Sequence, residues 1–304
     1  MVSWRLKPRL RLPNRPASAA SAGEGRLRQG RRALGRQAPF LIILAAFVLV
    51  ALLAPLLAPY DPHALADQPL ERPSPAHLLG TNDIGQDILS ELIFGARISL
   101  IVALAASVST VALGALIGGV AGYAGGWLDT ALMRGVDVLL ALPRLPLLIL
   151  LAALLGAGLP QTIAIIALLF WPGAARIFRA QTQSLRSRGY VRMARQFGGG
   201  IGYVLRRHIV PALAPLIAFE LVMAAGRAVA LEAGLAFLGI GDAAAKSWGL
   251  MMRFALNLPG LLLSDRWLWW LLPPAACLTL LILTLTFIGI GLEERWQPRL
   301  KQRL

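Results

Sequence analysis

Residues 98–121 read ISLIVALAASVSTVALGALIGGVA and contain no ionisable side chain. As an α-helix, a run of this length crosses the roughly 30 Å hydrocarbon core of a bilayer, because each helical residue advances about 1.5 Å. The rest of the chain is similar: of 304 residues, 57% are hydrophobic, and the mean hydropathy is +0.66. Too little polar surface remains for a water-soluble protein, so the sequence predicts an all-α, polytopic membrane protein.

Five further stretches are apolar over nearly the same length or more, which predicts six transmembrane helices in all. We place the six spans at 39–58, 98–121, 133–156, 160–178, 209–237 and 267–291. The first resembles a secretory signal, but its apolar run is too long for one and five more spans follow. We therefore interpret it as an uncleaved helix, ahead of a transmembrane domain that covers 98–292.

The orientation of the spans follows from lysine and arginine, which are retained in cytoplasmic segments. Residues 1–38 hold ten of these cations, 176–207 hold eight and 295–304 hold four, whereas 60–97 hold two cations against six carboxylates. This distribution predicts that both termini and a loop at about 184–208 are cytoplasmic. Residues 59–97 are then extracytoplasmic.

The basic N-terminal segment, 1–38, is rich in proline, serine and alanine, which predicts a disordered cytoplasmic tail that meets anionic membrane lipid. Residues 293–304 form a second cytoplasmic tail. The net charge of +15 does not indicate a nucleic-acid partner, because the cations flank apolar runs and form no face of a soluble domain.

The cytoplasmic loop contains a short amphipathic helix at 188–197. Its two faces are an apolar one with Tyr190, Met193, Ala194 and Phe197, and a basic one with Arg188, Arg192 and Arg195. Like charges at this spacing repel, so the basic face favours an anionic partner, either lipid headgroups or an acidic protein surface. The helix is expected to end at Gly198, Gly199, Gly200 and Gly202. Pro211 then suits the first turn of the next helix.

This loop resembles the coupling loop in membrane subunits of binding-protein-dependent ABC importers. Their pattern is Glu-Ala-Ala, a glycine four residues on, and then Ile-x-Pro at the next span. Ala194 takes the place of the second alanine, Gly198 that of the glycine, and Ile209 with Pro211 that of the ending. Two positions depart from it, because Arg192 stands where the family has glutamate and Met193 where it has the first alanine.

Three other segments resemble the dipeptide, oligopeptide and nickel permease branch of this family. They are HLLGTNDIGQDILSELIFGARISL (77–100), GYAGGWLDTALMRGVDVLLALP (122–143) and LEAGLAFLGIGDAAAKSWGLMM (231–252). In the first, Gly85-Gln86-Asp87 stands where the branch usually has Gly-Arg-Asp. The segments occur in the expected order and spacing, so the resemblance covers most of the chain.

The resemblance implies a type I ABC importer permease in the cytoplasmic (inner) membrane of a bacterium. It implies a second permease subunit, two cytosolic ATP-binding cassette subunits and a periplasmic or lipid-anchored substrate-binding protein as partners. This chain would bind no cofactor, because ATP and Mg²⁺ are used by the ATPase partners. The implied substrates are di- or oligopeptides, with nickel or another peptide-like solute as the alternative.

The coupling loop would lie in a groove of the ATPase, so that ATPase closure moves the membrane helices. The residues expected to form this contact are Tyr190, Arg192, Met193, Ala194, Arg195, Phe197, Gly198, Ile209 and Pro211. The apolar face would pack in that groove or against the second helix of this subunit. Arg192 would repel a groove built for glutamate, so either the ATPase carries a compensating acid or the loop is degenerate.

The predicted spans contain two sets of acid and base on one helix each, Asp137 with Arg144 and Glu220 with Arg227. In each span the acid and the base are seven residues apart, so each pair is expected to share a helix face. They either neutralise one another or mark the translocation path. In the second case, Arg144 would meet a substrate carboxylate.

The sequence contains no phosphate-binding loop, no metal-spaced cluster of His or Cys and no nucleophile motif, so no catalytic activity is expected. The main competing class is an ion-coupled secondary transporter that uses Asp137 and Glu220 as proton sites. It would leave the helix-and-glycine loop unexplained. In and beside the second outer loop, 239–265, four tryptophans suggest anchoring at the membrane interface or a contact with the binding protein: Trp248, Trp267, Trp269 and Trp270.

Overall fold

The computed structural model describes residues 37–65, 68–156, 158–242 and 244–296. Within these ranges the regular structure is helical, apart from one isolated bridge between Thr81 and Asp87. The all-α prediction is confirmed. Most of the two predicted tails, 1–38 and 293–304, lies outside the described residues.

The α-helices follow one another along the chain, and the longest connection is the one between α2 and α3. They are α1 (Gln37–Leu52), α2 (Ala54–Leu57), α3 (Ile88–Ala124), α4 (Gly126–Ala141), α5 (Arg144–Leu155), α6 (Leu159–Arg186), α7 (Gly189–Gln196), α8 (Ile201–Val204), α9 (Val210–Leu238), α10 (Trp248–Asn257), α11 (Trp267–Trp270) and α12 (Leu272–Trp296). A π-helical turn, Leu205–Ile209, joins α8 to α9, and a 3-10 turn covers Leu261–Leu263.

Several of these helices are long and apolar enough to cross a membrane. Among the described residues there are four such segments: Ile88–Ala124, Leu159–Arg186, Ile201–Leu238 and Trp267–Glu293. The pair α4–α5 makes a fifth if it is one bent span, and α1 is apolar but shorter than the roughly 20 residues that a span needs. A multi-pass fold is thus confirmed, while the count of six and the cytoplasmic termini stay predictions.

The third predicted span, 133–156, is wrong as a single straight helix. The chain forms α4 and α5 instead, which are bent by 84° relative to one another. Leu142 and Pro143, between the two helices, are extended, with ψ of 139° and 103°. Proline disfavours the helical conformation of the residue before it and has no N–H for the helix ladder, so Pro143 accounts for the break.

Close contact between α3 and α6 depends on glycines spaced four residues apart. Gly114, Gly118 and Gly122 all face α6. A Cβ atom on Gly118 would lie only 2.2 Å from the carbonyl oxygen of Ala175. Small residues at this spacing let two membrane helices pack backbone to backbone, where dispersion forces do most to hold them together. The pair α3–α6 forms the centre of the bundle, and α9 packs against α3 as well.

The predicted interfacial role of the tryptophans is wrong for Trp248 and Trp270, which are both buried. The indole Nε1–H of Trp248 donates to the carbonyl oxygen of Leu92, at 2.9 Å, and the ring fills the space that a side chain on Gly95 would take. Trp248 and Trp270 belong to one hydrophobic cluster, and Trp267 and Trp269 are partly buried against it. This aromatic group therefore packs α10 and α11 onto the bundle.

Candidate functional site

The predicted coupling loop is shorter than its charge pattern suggests, because the helices on both sides extend into it. α6 continues to Arg186, beyond the predicted span end at 178. The next crossing segment already begins at Ile201, ahead of the predicted start at 209. Pro211 is the second residue of α9, as expected for a first turn, but a π-helical turn precedes it where a loop was predicted.

The predicted amphipathic helix exists as α7, and one side chain anchors it to the bundle. Val191 is 0% exposed and belongs to the hydrophobic cluster that also contains Tyr123, Phe178 and Ile209. Ala194 is partly buried against the same cluster. Val191 was missed from the sequence, where it lies between the predicted apolar and basic faces. Its β-branched apolar side chain was the available signal.

The rest of the predicted apolar face of α7 is largely exposed in this subunit. Tyr190, Met193 and Phe197 are 43%, 56% and 85% exposed. Of the predicted face, Ala194 thus packs against the bundle, whereas these three side chains remain exposed, and a groove on a partner stays a prediction for them. We call these three residues the outer face of α7.

The basic side chains around α7 differ in their surroundings. Arg195 lies over the ring of Tyr123, with its guanidinium carbon 5.4 Å from the ring centroid, a cation–π geometry. Arg192 is exposed. The ring of His208 lies 6.2 Å from that of Tyr190 and 5.7 Å from that of Tyr203, so aromatic contacts connect α7 to the helix that leads into α9.

The end of α7 has the geometry predicted from its glycines. Gly198 has φ of 82°, in the left-handed region, and its N–H donates to the carbonyl oxygen of Arg195 at 3.1 Å. The N–H of Gly199 donates to the carbonyl oxygen of Ala194 at 2.9 Å. These two bonds define a Schellman motif, which ends the helix and turns the chain sharply. The chain then enters α8 through Gly200.

The membrane-embedded charges pair differently from the prediction. Asp137 and Arg144 do not form a pair, because the bend between α4 and α5 separates them. Asp137 accepts a hydrogen bond from Arg176 of α6, at 2.5 Å, and both side chains are about half exposed. From the sequence, Arg176 was counted with the cations of the cytoplasmic segment 176–207, so this partner was missed.

Two other pairs neutralise charge within the bundle. Arg179 of α6 donates to both carboxylate oxygens of Asp129 on α4, at 2.5 and 2.7 Å. The predicted pair in α9 is confirmed, since the guanidinium of Arg227 lies 3.5 Å from the buried carboxylate of Glu220. This distance is the longest that counts as a hydrogen bond.

A buried polar cluster on the other side of the bundle was not predicted. Lys246, in the connection between α9 and α10, contacts Glu91 of α3 at 2.6 Å, and its ammonium also donates to Gln86 at 2.5 Å. Asn82 donates to both of these acceptors. Lys246 thereby brings a cation beside Gln86 and Glu91.

Comparison with known proteins adds independent information. Residues 114–302 match the family described as binding-protein-dependent transport system inner membrane component. Residues 40–76 match the N-terminal transmembrane domain of oligopeptide transport permease C.

Similar full-length proteins cover most of the chain. A protein of Brucella suis biovar 1 is 36% identical over 261 residues, 85% of this chain and 85% of its own length. The dipeptide transport system permease protein DppC of Bacillus subtilis is 34% identical over 265 residues, 86% of this chain and 81% of its own length. The oligopeptide transport system permease protein OppC of the same species is 33% identical over 267 residues, 86% and 85% of the two chains. With a family match over more than half of its length, this chain belongs to the inner membrane components of binding-protein-dependent transport systems.

Proposed function

We propose that this protein is a permease subunit of an ATP-driven ABC importer that carries di- or oligopeptides across the inner membrane. The names of the similar Bacillus subtilis proteins, a dipeptide and an oligopeptide transport permease, support this substrate class. Its partners are a second permease subunit, two cytosolic ATPase subunits and an extracytoplasmic binding protein. ATP and Mg²⁺ are bound by the ATPase subunits.

The observation that carries the proposal is the outer face of α7. Tyr190, Met193 and Phe197 expose apolar surface on a helix whose opposite side is fixed by Val191. Aromatic and methionine side chains of this kind are enriched at protein interfaces and depleted from ordinary solvent-exposed surface. A groove on the ATPase subunit that receives these three side chains accounts for their exposure.

The connections of α7 allow a force on its outer face to reach the membrane helices. At its start, the N–H of Arg188 donates to the carbonyl oxygen of Leu185, at 3.0 Å, which ties α7 to the end of α6. At its other end, the Schellman motif leads within a few residues into α8, the π-helical turn and α9. A shift of α7 during ATPase closure therefore moves the cytoplasmic ends of α6 and α9 together.

Transport by the reconstituted assembly tests the proposal. The chain is purified with the permease, ATPase and binding-protein subunits encoded beside its gene, and uptake of a radiolabelled dipeptide into proteoliposomes is measured. We expect uptake that requires ATP and continues in the presence of an uncoupler. Uptake that survives without ATP and is lost with the uncoupler would instead identify an ion-coupled secondary transporter.

Arg192 tests the charge of the groove. Its guanidinium is exposed beside the outer face of α7, so we propose an acidic residue on the matching ATPase surface. We expect Arg192→Glu to weaken association with the ATPase by roughly tenfold or more, because close charge pairs at interfaces contribute about 1.5 kcal/mol or more. Surface plasmon resonance with the permease pair in nanodiscs measures this change.

The matched control is Arg206→Glu, which reverses an exposed charge on the same side of the membrane but outside α7. It should change the affinity less than Arg192→Glu does, and less still at high salt, because interactions between exposed charges outside the contact are screened. Tighter ATPase binding by the Arg192→Glu variant would contradict the prediction of an acidic groove.

A further inference from the structure

The position of Arg144 in the fold sets it apart from the other cations of the bundle. It is the first residue of α5, directly after the break at Pro143. Its guanidinium lies about 4 Å from where a Cβ atom on Gly173 would be. Gly173 is near the midpoint of α6, which runs from Leu159 to Arg186 and crosses the membrane. Arg144 therefore lies beside the middle of a helix that is long and apolar enough to cross the membrane.

The charge of Arg144 is not balanced by a neighbour in the described part of the chain. Asp137, the acid predicted to pair with it, is bound to Arg176 instead. No carboxylate of the described residues forms an ion pair with Arg144. Its one charge-related contact there is the ring of Phe170, whose centroid lies 5.6 Å from the guanidinium carbon.

The other embedded cations are accommodated in ways that Arg144 does not share. Arg176, Arg179 and Arg227 each contact a carboxylate. Arg97 and Arg134 are exposed and lie within about 15 Å of the start of their helices, so their long side chains can reach toward the membrane surface. Arg144 is only partly exposed and lies beside the middle of α6.

An unpaired arginine at this depth is costly in lipid and is found where it faces a water-filled cavity or a ligand. Broken helices with extended backbone at membrane depth also occur where they line such a cavity, and transporters place substrate sites there. Both features meet at Arg144.

We propose that Arg144 binds a carboxylate of the transported peptide as the peptide passes the middle of α6, an inference that rests on the proposed function. The guanidinium presents parallel N–H donors that match a carboxylate, and the ring of Phe170 is its cation–π neighbour. Arg144 thereby provides the permease with a selectivity of its own for the charged end of a peptide, in addition to that of the binding protein.

The experiment compares two probes, Ala-Ala with a free C-terminal carboxylate and Ala-Ala amide, in the reconstituted assembly with saturating binding protein. The measured quantity is the ratio of the two ATP-driven uptake rates. We expect this ratio to fall roughly tenfold in Arg144→Gln, which corresponds to about 1.4 kcal/mol, and to be partly retained in Arg144→Lys. Arg134→Gln, which removes an exposed arginine from α4, should leave the ratio unchanged.

Because every variant uses the same binding protein, a change in the ratio comes from the permease. An unchanged ratio in Arg144→Gln, with normal ATP-driven uptake, overturns this inference and leaves the proposed function standing. Absence of ATP-driven uptake in the unmodified assembly overturns the proposed function itself. If Arg144→Gln separates the two permease subunits during size-exclusion chromatography, the partner of Arg144 is a residue of the second subunit, and the inference also fails.

A second measurement decides the question even if the amide is not transported. Arg144→Cys is made in a Cys277→Ala background, and the assembly is treated with a water-soluble, negatively charged methanethiosulfonate. We expect labelling at position 144 that slows when Ala-Ala is being transported. An absence of labelling would show that the position does not face water.

Discussion

Replacing Gly198 with valine is expected to abolish ATP-driven uptake while the protein still inserts into the membrane. Gly198 has φ of 82°, a conformation that a β-branched residue adopts only with strain of about 1–3 kcal/mol. No atom lies within 4 Å of where its Cβ would be, so the effect arises from the backbone and not from a steric clash. A penalty of this size changes the ratio of two conformations by roughly 5- to 150-fold.

The consequence for transport follows from the position of Gly198 at the end of α7. Without the left-handed residue, the Schellman hydrogen bonds to Arg195 and Ala194 are lost and the chain leaves α7 in another direction. The outer face of α7 then loses its fixed relation to α9. Insertion is spared because residue 198 lies between the apolar crossing segments. Uptake into proteoliposomes and the amount of protein in the membrane fraction measure the two effects separately.

The control for this prediction is Gly202→Val, four residues further on in α8. Gly202 is also without neighbours within 4 Å of a Cβ, but its φ lies outside the left-handed region, so valine fits there. Gly198→Asn should retain part of the uptake, because asparagine tolerates the left-handed conformation better than valine. Normal uptake by the Gly198→Val variant would falsify the proposed role of the helix end.

The sequence was sufficient for those features that depend on local chain chemistry. The crossing segments follow from the length of the apolar runs, and the end of α7 follows from the requirement for glycine at a left-handed position. The structure confirms both at Ile88–Ala124 and at Gly198. Each feature depends on residues that are consecutive in the sequence. It can therefore be predicted without knowing which other helices pack against them.

Features that depend on which helices meet were not predictable in this way. The sequence identified apolar positions in α7, but it did not predict that Val191 is buried and Phe197 exposed. Both side chains are apolar, and which of them is buried depends on the helices that pack against α7. Pro143 was visible in the sequence, yet a proline in a membrane helix is often tolerated, so the 84° bend was not expected. Asp137 was paired by spacing with Arg144, although the bend brings it to Arg176 instead.

The buried cluster of Lys246 and Glu91 illustrates the same limit and leads to a large expected effect on stability. These two residues are far apart in the sequence, and their side chains are only 11% and 4% exposed. The contact joins the connection before α10 to the first turns of α3, beside the hydrogen bond from Trp248 to Leu92. Removal of one partner leaves an uncompensated buried charge, whose cost exceeds the contribution of the intact pair.

We therefore expect Lys246→Met to lower the free energy of unfolding by about 3–5 kcal/mol, measured by thermal or denaturant unfolding of the purified protein in detergent. The double variant Lys246→Met/Glu91→Met should recover much of this loss, because no unpaired carboxylate remains. Arg72→Met is the control, since it breaks the exposed ion pair with Asp265 and should cost no more than about 1 kcal/mol. If the Lys246 and Arg72 variants lose equal stability, Lys246 is not the counter-ion that permits burial of Glu91, and Trp248 with its apolar neighbours is what holds α10 to the start of α3.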